Sequence, residues 1–97
     1  MYKKSKFLKK WRKRWFVLTS TFLYTYQKEK DYSRPTEQIN LETIRNISEQ
    51  APEAGFYTIQ IRQKDGVIFH LKTDIGEEKD SWLMEIQRCL NNKNRLY

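Results

Sequence analysis

The sequence predicts a small, mainly β domain: about seven antiparallel strands in a barrel or sandwich, covered at one opening by a C-terminal α-helix. Three observations carry this. Apolar and polar residues alternate with a period of two through the second half of the chain. Tyr57, Ile59 and Ile61 alternate with Thr58, Gln60 and Arg62, and Val67, Phe69 and Leu71 with Ile68, His70 and Lys72. Asp65-Gly66 lies between these two runs and is a strong hairpin signal. Beyond residue 74 the period becomes helical, with Trp82, Leu83, Ile86 and Leu90 on one stripe. A chain of 97 residues suits one domain, read as residues 1–97, and no internal repeat or interdomain linker divides it.

The elements follow in order. Residues 10–26 are rich in aromatic and β-branched side chains, which suit a pleated, half-buried surface. They read as a hairpin: a strand through Leu18, a polar Thr19-Ser20-Thr21 turn, then Phe22-Leu23-Tyr24-Thr25-Tyr26. Residues 28–36 are charged, contain Pro35 and read as a loop. Ile39-Asn40-Leu41 and Ile44-Arg45-Asn46-Ile47 read as two short strands, and residues 51–55 as a loop. Asp74-Ile75-Gly76-Glu77 fits a helix-initiating capping box, and Asn91-Asn92 a stop. Trp82 belongs to the helix stripe and is expected in the core, with Cys89 beside it.

The charge is concentrated. The chain has a net charge of +7, yet residues 1–14 hold eight of its 19 basic side chains and none of its 12 acids. The remaining residues hold the other 11 bases and all the acids, so they are close to neutral. Several classes are excluded. Trp15-Phe16-Val17-Leu18, the longest clean apolar run, is far short of the ~20 residues of a membrane span. No apolar stretch of the roughly 7–15 residues of a signal h-region follows the basic start, so it does not read as a secretory signal. Cys89 and His70 are each the only residue of their type, which argues against a disulfide, a thiolate metal cluster or a nucleophile–base pair. The only glycines are Gly55, Gly66 and Gly76, so no glycine-rich phosphate loop is possible. Neither an enzyme, a cofactor nor a metal is expected.

Arg12 and Arg14 share a strand face with Phe16 and Leu18, the face that should be core. Two unpaired guanidinium groups in a core would each cost several kcal/mol of desolvation, so they belong where the strand reaches the barrel mouth. There they form an inward-facing pair suited to an anion, beside a basic loop at residues 5–11.

Lys3, then eight residues, then Arg12-Lys13-Arg14-Trp15-Phe16-Val17-Leu18 resembles the phosphoinositide-binding signature of pleckstrin-homology (PH) domains. Phe22-Leu23-Tyr24, the seven-strand count and a final helix carrying Trp82 agree, so the resemblance covers nearly the whole chain. It implies two nearly orthogonal antiparallel sheets with the helix closing one end. It implies that Lys3, Arg12 and Arg14 grip headgroup phosphates, with Arg34 at the rim. Thr25 stands where many tight binders of 3-phosphorylated lipids carry a tyrosine, and is expected to offer a shorter hydrogen bond. Lys4, Lys6, Lys9, Lys10 and Lys13 would form a membrane-facing basic loop region, and Phe7 and Leu8 would enter the interface. Family first strands usually begin upstream of the lysine, so the first strand is expected to be shortened and the chain a fragment of a larger protein.

The function implied is a non-catalytic module that binds phosphoinositide headgroups at anionic membranes, with a lean towards 3-phosphorylated lipids. The corresponding location is the cytoplasm, with peripheral recruitment to plasma membrane or endomembrane, as a monomer. The alternative is a protein-interaction module on the same scaffold with weak lipid binding, since fold alone does not determine function. Nucleic-acid binding ranks below both, because the aromatics interleaved with the bases at residues 9–16 are committed to a strand.

Overall fold

The computed structural model describes residues 1–4, 10–30 and 32–95. The strands are β1 (Tyr2–Lys4), β2 (Trp11–Lys13), β3 (Trp15–Leu18), β4 (Phe22–Tyr26), β5 (Glu37–Asn40), β6 (Ile44–Glu49), β7 (Tyr57–Gln63) and β8 (Ile68–Thr73). They form two antiparallel sheets, one ordered β2-β1-β8-β7-β6 and the other β3-β4-β5. The helix α1 spans Gly76–Arg95. The seven-strand expectation is met with one refinement: β2 and β3 are the two halves of the second strand. Between them, at Arg14, the chain leaves the larger sheet and enters the smaller one. Such sheet-switching corners hold the two layers of a sandwich together.

Alternation places the core. Phe16, Leu23, Ile39, Ile59, Ile61, Phe69 and Leu71 come from the inward faces of both sheets and are buried. Ile59 and Ile61 pair in register with Leu71 and Phe69, as the period of two requires. The hairpin between β7 and β8 turns at Gly66, whose φ of +93° explains glycine there. Asp65 Oδ1 accepts from the Val67 N–H at 2.9 Å, fixing the turn. The Thr19 hydroxyl does the same for the earlier hairpin, accepting from the Phe22 N–H at 2.9 Å.

Two boundaries differ from expectation. Leu41 leaves its strand and enters a 3₁₀ turn, Leu41–Thr43, capped by the Asn40 side chain, which accepts from the Glu42 N–H. Asparagine's side chain competes for backbone donors and so ends the strand. The helix also runs past Asn91-Asn92. Asparagine is only a moderately poor helix former, and no glycine or proline follows to stop the helix. At its start the Thr73 hydroxyl accepts from the Ile75 N–H at 3.2 Å, one residue before the expected Asp74 cap.

Helix α1 closes one end of the sandwich with its apolar stripe. Ile86 is fully buried, and Trp82, Leu83, Cys89 and Leu90 pack on the core, Trp82 edge-on to Phe16 at 5.9 Å. Lys79 ties the helix to β6 through Glu49 Oε1 at 2.6 Å and also meets Asp80 at 2.6 Å. Hydrogen bonds to Asp80 and then to Glu49 raise the Lys79 pKa.

Candidate functional site

The basic segment enters the fold as a pair of short antiparallel strands. In the β1–β2 register Lys3 lies opposite Arg12, and in the β1–β8 register it lies opposite Leu71. Leu71 is core, so Lys3 points inward too, and it is buried. A buried ammonium needs a counter-charge. Lys3 Nζ finds one in Glu37 Oε1, at the first position of β5 in the other sheet. The pair therefore bridges the two layers, with Lys3 Nζ also 5.6 Å from the centre of the Phe69 ring.

Glu37 has its own register neighbours. It lies opposite Thr25, and Thr25 lies opposite Phe16, so these three share the inward face of the smaller sheet. Thr25 is fully buried. The Thr36 hydroxyl donates to the Thr25 carbonyl oxygen at 3.0 Å, which leaves the Thr25 hydroxyl to donate to Thr36 Oγ1 at 2.7 Å. The single Thr25 hydroxyl proton is thus already used. Burial and the Thr36 bond occupy the hydroxyl that the sequence expectation offered to a phosphate. Tyr24 and Tyr26 lie on the opposite face, their rings 6.1 Å apart, as alternation predicts.

Arg12 is exposed, beside Lys3 in register. Arg14 is half-buried at the corner between β2 and β3. Its backbone N–H donates to the Met1 carbonyl at 3.0 Å, and its Nη1 donates to the Lys13 carbonyl at 2.9 Å. A guanidinium has five N–H donors, so this bond leaves others for a ligand. Arg34 is exposed, two residues before Thr36 in the loop between β4 and β5. The expected inward-facing arginine pair is therefore a different arrangement. Lys3 is the buried cation, Arg12 stands at the surface next to it, and Arg14 sits at the sheet corner.

The expected basic loop is also redistributed. Lys4 and Lys13 are strand residues, not loop residues. They alternate with Lys3 and Arg12, which puts them on the outer face of the larger sheet. That face carries a cation–aromatic cluster: Lys72 Nζ is 4.4 Å from the Trp11 ring centre and 4.3 Å from that of Phe56, and Lys4 Nζ is 5.9 Å from Trp11. His70 lies on the same strand face as Lys72. It is half-buried, and burial, then the charge of Lys4, lower its pKa. Lys10 is exposed just before β2. Lys6, Phe7, Leu8 and Lys9 lie outside the described residues.

Sequence reasoning missed Glu37. The rule that flagged Arg12 and Arg14 would have found it: Glu37 shares a strand face with buried Ile39, so an acid there demands a cation. Reading the strand as starting at Ile39 hid it.

The sequence profile of the PH domain family matches residues 1–91. The chain belongs to the PH domain family. A Drosophila melanogaster protein, "Uncharacterized protein CG43867", is 33% identical over 81 residues, 82% of this chain. The aligned region is 4% of that relative's length, so the chain spans a small part of the curated relative it matches. Among solved structures, the PH domain of human oxysterol-binding protein-related protein 11 aligns with a TM-score of 0.78 at 20% identity, covering 94% of this chain and 76% of that one. The Slm1-PH domain in complex with phosphoserine aligns at 0.75 with 22% identity, covering 93% and 90%. The Slm1-PH domain in complex with inositol-4-phosphate aligns at 0.70 with 22% identity, covering 91% and 90%. These likenesses agree with the PH fold: two antiparallel sheets and a C-terminal helix. PH domains are generally binding modules rather than catalysts. No described helix is long and apolar enough to cross a membrane, and among the described residues no group of metal-ligating side chains assembles.

Proposed function

We propose that this PH domain binds phosphoinositide headgroups and recruits its parent protein to anionic membranes. The observation that carries the reading is the register of β1 and β2. It sets Lys3 opposite Arg12, with Arg14 two residues further on where the chain passes to the other sheet, so three basic residues lie along one short stretch of a PH fold. The PH domain of Slm1, similar in fold, is solved with inositol-4-phosphate, which supports the choice of ligand class.

Three contributions act together. Charge-assisted hydrogen bonds from Arg12, Arg14 and Lys3 to phosphate supply recognition, with Arg34 at the rim. Lysines near the membrane add about 1 kcal/mol each through attraction to anionic lipid. Phe7 and Leu8 entering the interface add up to roughly 1.5–3 kcal/mol each. The preferred headgroup is 3-phosphorylated, on the strength of the long basic segment between Lys3 and Arg12. The test is co-sedimentation with phosphatidylcholine vesicles, with and without phosphoinositide. The parent chain is expected to pellet with the phosphoinositide vesicles and Arg14→Ala to remain largely in the supernatant; equal pelleting of the two places the site elsewhere.

One observation favours a second reading, a protein-interaction module with weak lipid binding: Lys3 is already neutralised by Glu37. In that case neutralising both Arg12 and Arg14 leaves partner binding intact.

A further inference from the structure

We propose that Glu37 is a specificity-determining residue of the headgroup site, an internal carboxylate that occupies Lys3 in place of a ligand phosphate. The inference rests on the headgroup reading above and concerns the same end of the fold.

Three features lead to it. Lys3 is buried and its ammonium is bound to Glu37 Oε1, so the innermost cation of the site is matched by a charge from the domain itself. Glu37 is held there by the β4–β5 ladder, opposite Thr25, and its side chain remains partly open to solvent while that of Lys3 does not. Its second oxygen, Oε2, is buried without a hydrogen-bond partner among the described residues. A carboxylate has about four acceptor positions, and one left dry and unpaired is costly. The pair is therefore complete in charge but incomplete in hydrogen bonding. An arriving phosphate can replace Glu37 at Lys3 and let the carboxylate swing towards water, where Oε2 is solvated.

The consequence is selectivity as well as weakened affinity. With Glu37 in place, Arg12 and Arg14 are the cations an anion meets first, and the carboxylate repels a further phosphate close to Lys3. A headgroup with one phosphate needs only the arginines. A headgroup with several gains from Lys3 only by displacing Glu37. Glu37 thus compresses the difference between singly and multiply phosphorylated ligands.

The experiment is calorimetric titration of the full chain with inositol monophosphate and with inositol tetrakisphosphate. Glu37→Gln keeps the shape and an acceptor for Lys3 but removes the charge. It is expected to bind the tetrakisphosphate about tenfold or more tightly than the parent, the factor of one charge-assisted hydrogen bond. Its affinity for the monophosphate is expected to change less than threefold. The double variant Lys3→Met/Glu37→Gln should lose the gain. A gain that survives without Lys3, or a Glu37→Gln affinity no better than the parent's, overturns the proposal. Should Glu37→Gln not fold, Glu37→Asp, which draws the carboxylate back by one methylene, carries the same test, with a smaller gain expected and none overturning it. Arg14→Ala separates the two levels. If it binds tetrakisphosphate as tightly as the parent, the headgroup reading fails. If it loses binding while Glu37→Gln gains nothing, only the role of Glu37 fails.

Discussion

Replacing Lys3 with methionine tests the electrostatic link between the two sheets, whatever ligand the domain takes. The substitution keeps an apolar stem of similar reach inside the core but removes the ammonium. Glu37 is then left between the sheets with neither oxygen partnered, since among the described residues Oε1 is bonded by Lys3 and Oε2 has no partner. Breaking a fully buried pair this way costs about 3–5 kcal/mol. The Glu37 side chain is 24% exposed, against 8% for Lys3, so water recovers part of that cost and about 2–3 kcal/mol is expected. For a domain of this size each kcal/mol lowers the midpoint by about 4–8 °C, so Lys3→Met should melt roughly 10–20 °C below the parent. Lys3→Met/Glu37→Gln removes both charges and should recover most of the loss, because a neutral pair in the same space is close to isoenergetic. The assay is thermal unfolding followed by near-ultraviolet circular dichroism. A single variant melting within about 2 °C of the parent, or a double variant less stable than the single, would refute the reasoning.

Two further perturbations probe the scaffold. Ile86→Ala removes a fully buried side chain from the helix that closes the sandwich; it should cost about 3–4 kcal/mol, read as a lower urea midpoint at unchanged slope. A cost under about 1 kcal/mol would mean the helix contributes little to the core. His70, whose pKa is lowered from 6.5, takes up its proton less readily folded than unfolded. Above 6.5 both states are neutral and nothing is lost; as pH falls below 6.5 the unfolded chain binds the proton first and stability declines until the folded pKa is passed. His70→Gln should therefore gain on the parent between about pH 8 and about pH 5 in urea titrations; a constant difference across that range would remove His70 as the cause.

Much of the fold is visible in local patterns, because alternation, turn chemistry and helical spacing are themselves local. Ile59, Ile61, Phe69 and Leu71 are core for the reason their spacing gives, and Asp65-Gly66 makes the turn that glycine's positive φ permits. What depends on contacts across the sandwich was less visible. Arg12 and Arg14 read as one face of one strand, yet the chain bends between them and divides that strand between two sheets. Nothing in the period of two announces such a corner. Thr25 sits at the register position expected of it, but its neighbour Thr36 arrives from a loop and consumes its proton. Glu37 was hidden because its importance comes from Lys3, 34 residues away in sequence. The cations of the proposed site are readable in the sequence; the Glu37 carboxylate that meets Lys3 is readable only once both sheets are in place.

The most direct measurement of where the headgroup binds is a nitrogen–proton correlation titration of the chain with soluble inositol tetrakisphosphate. Binding at the proposed end of the barrel shifts the amides of Lys3, Arg12, Arg14 and Glu37 first, and competing oligonucleotide leaves those shifts in place. Shifts centred instead on Lys4, Trp11, Lys13 and Lys72, across the outer face of the same sheet, would contradict the proposed site.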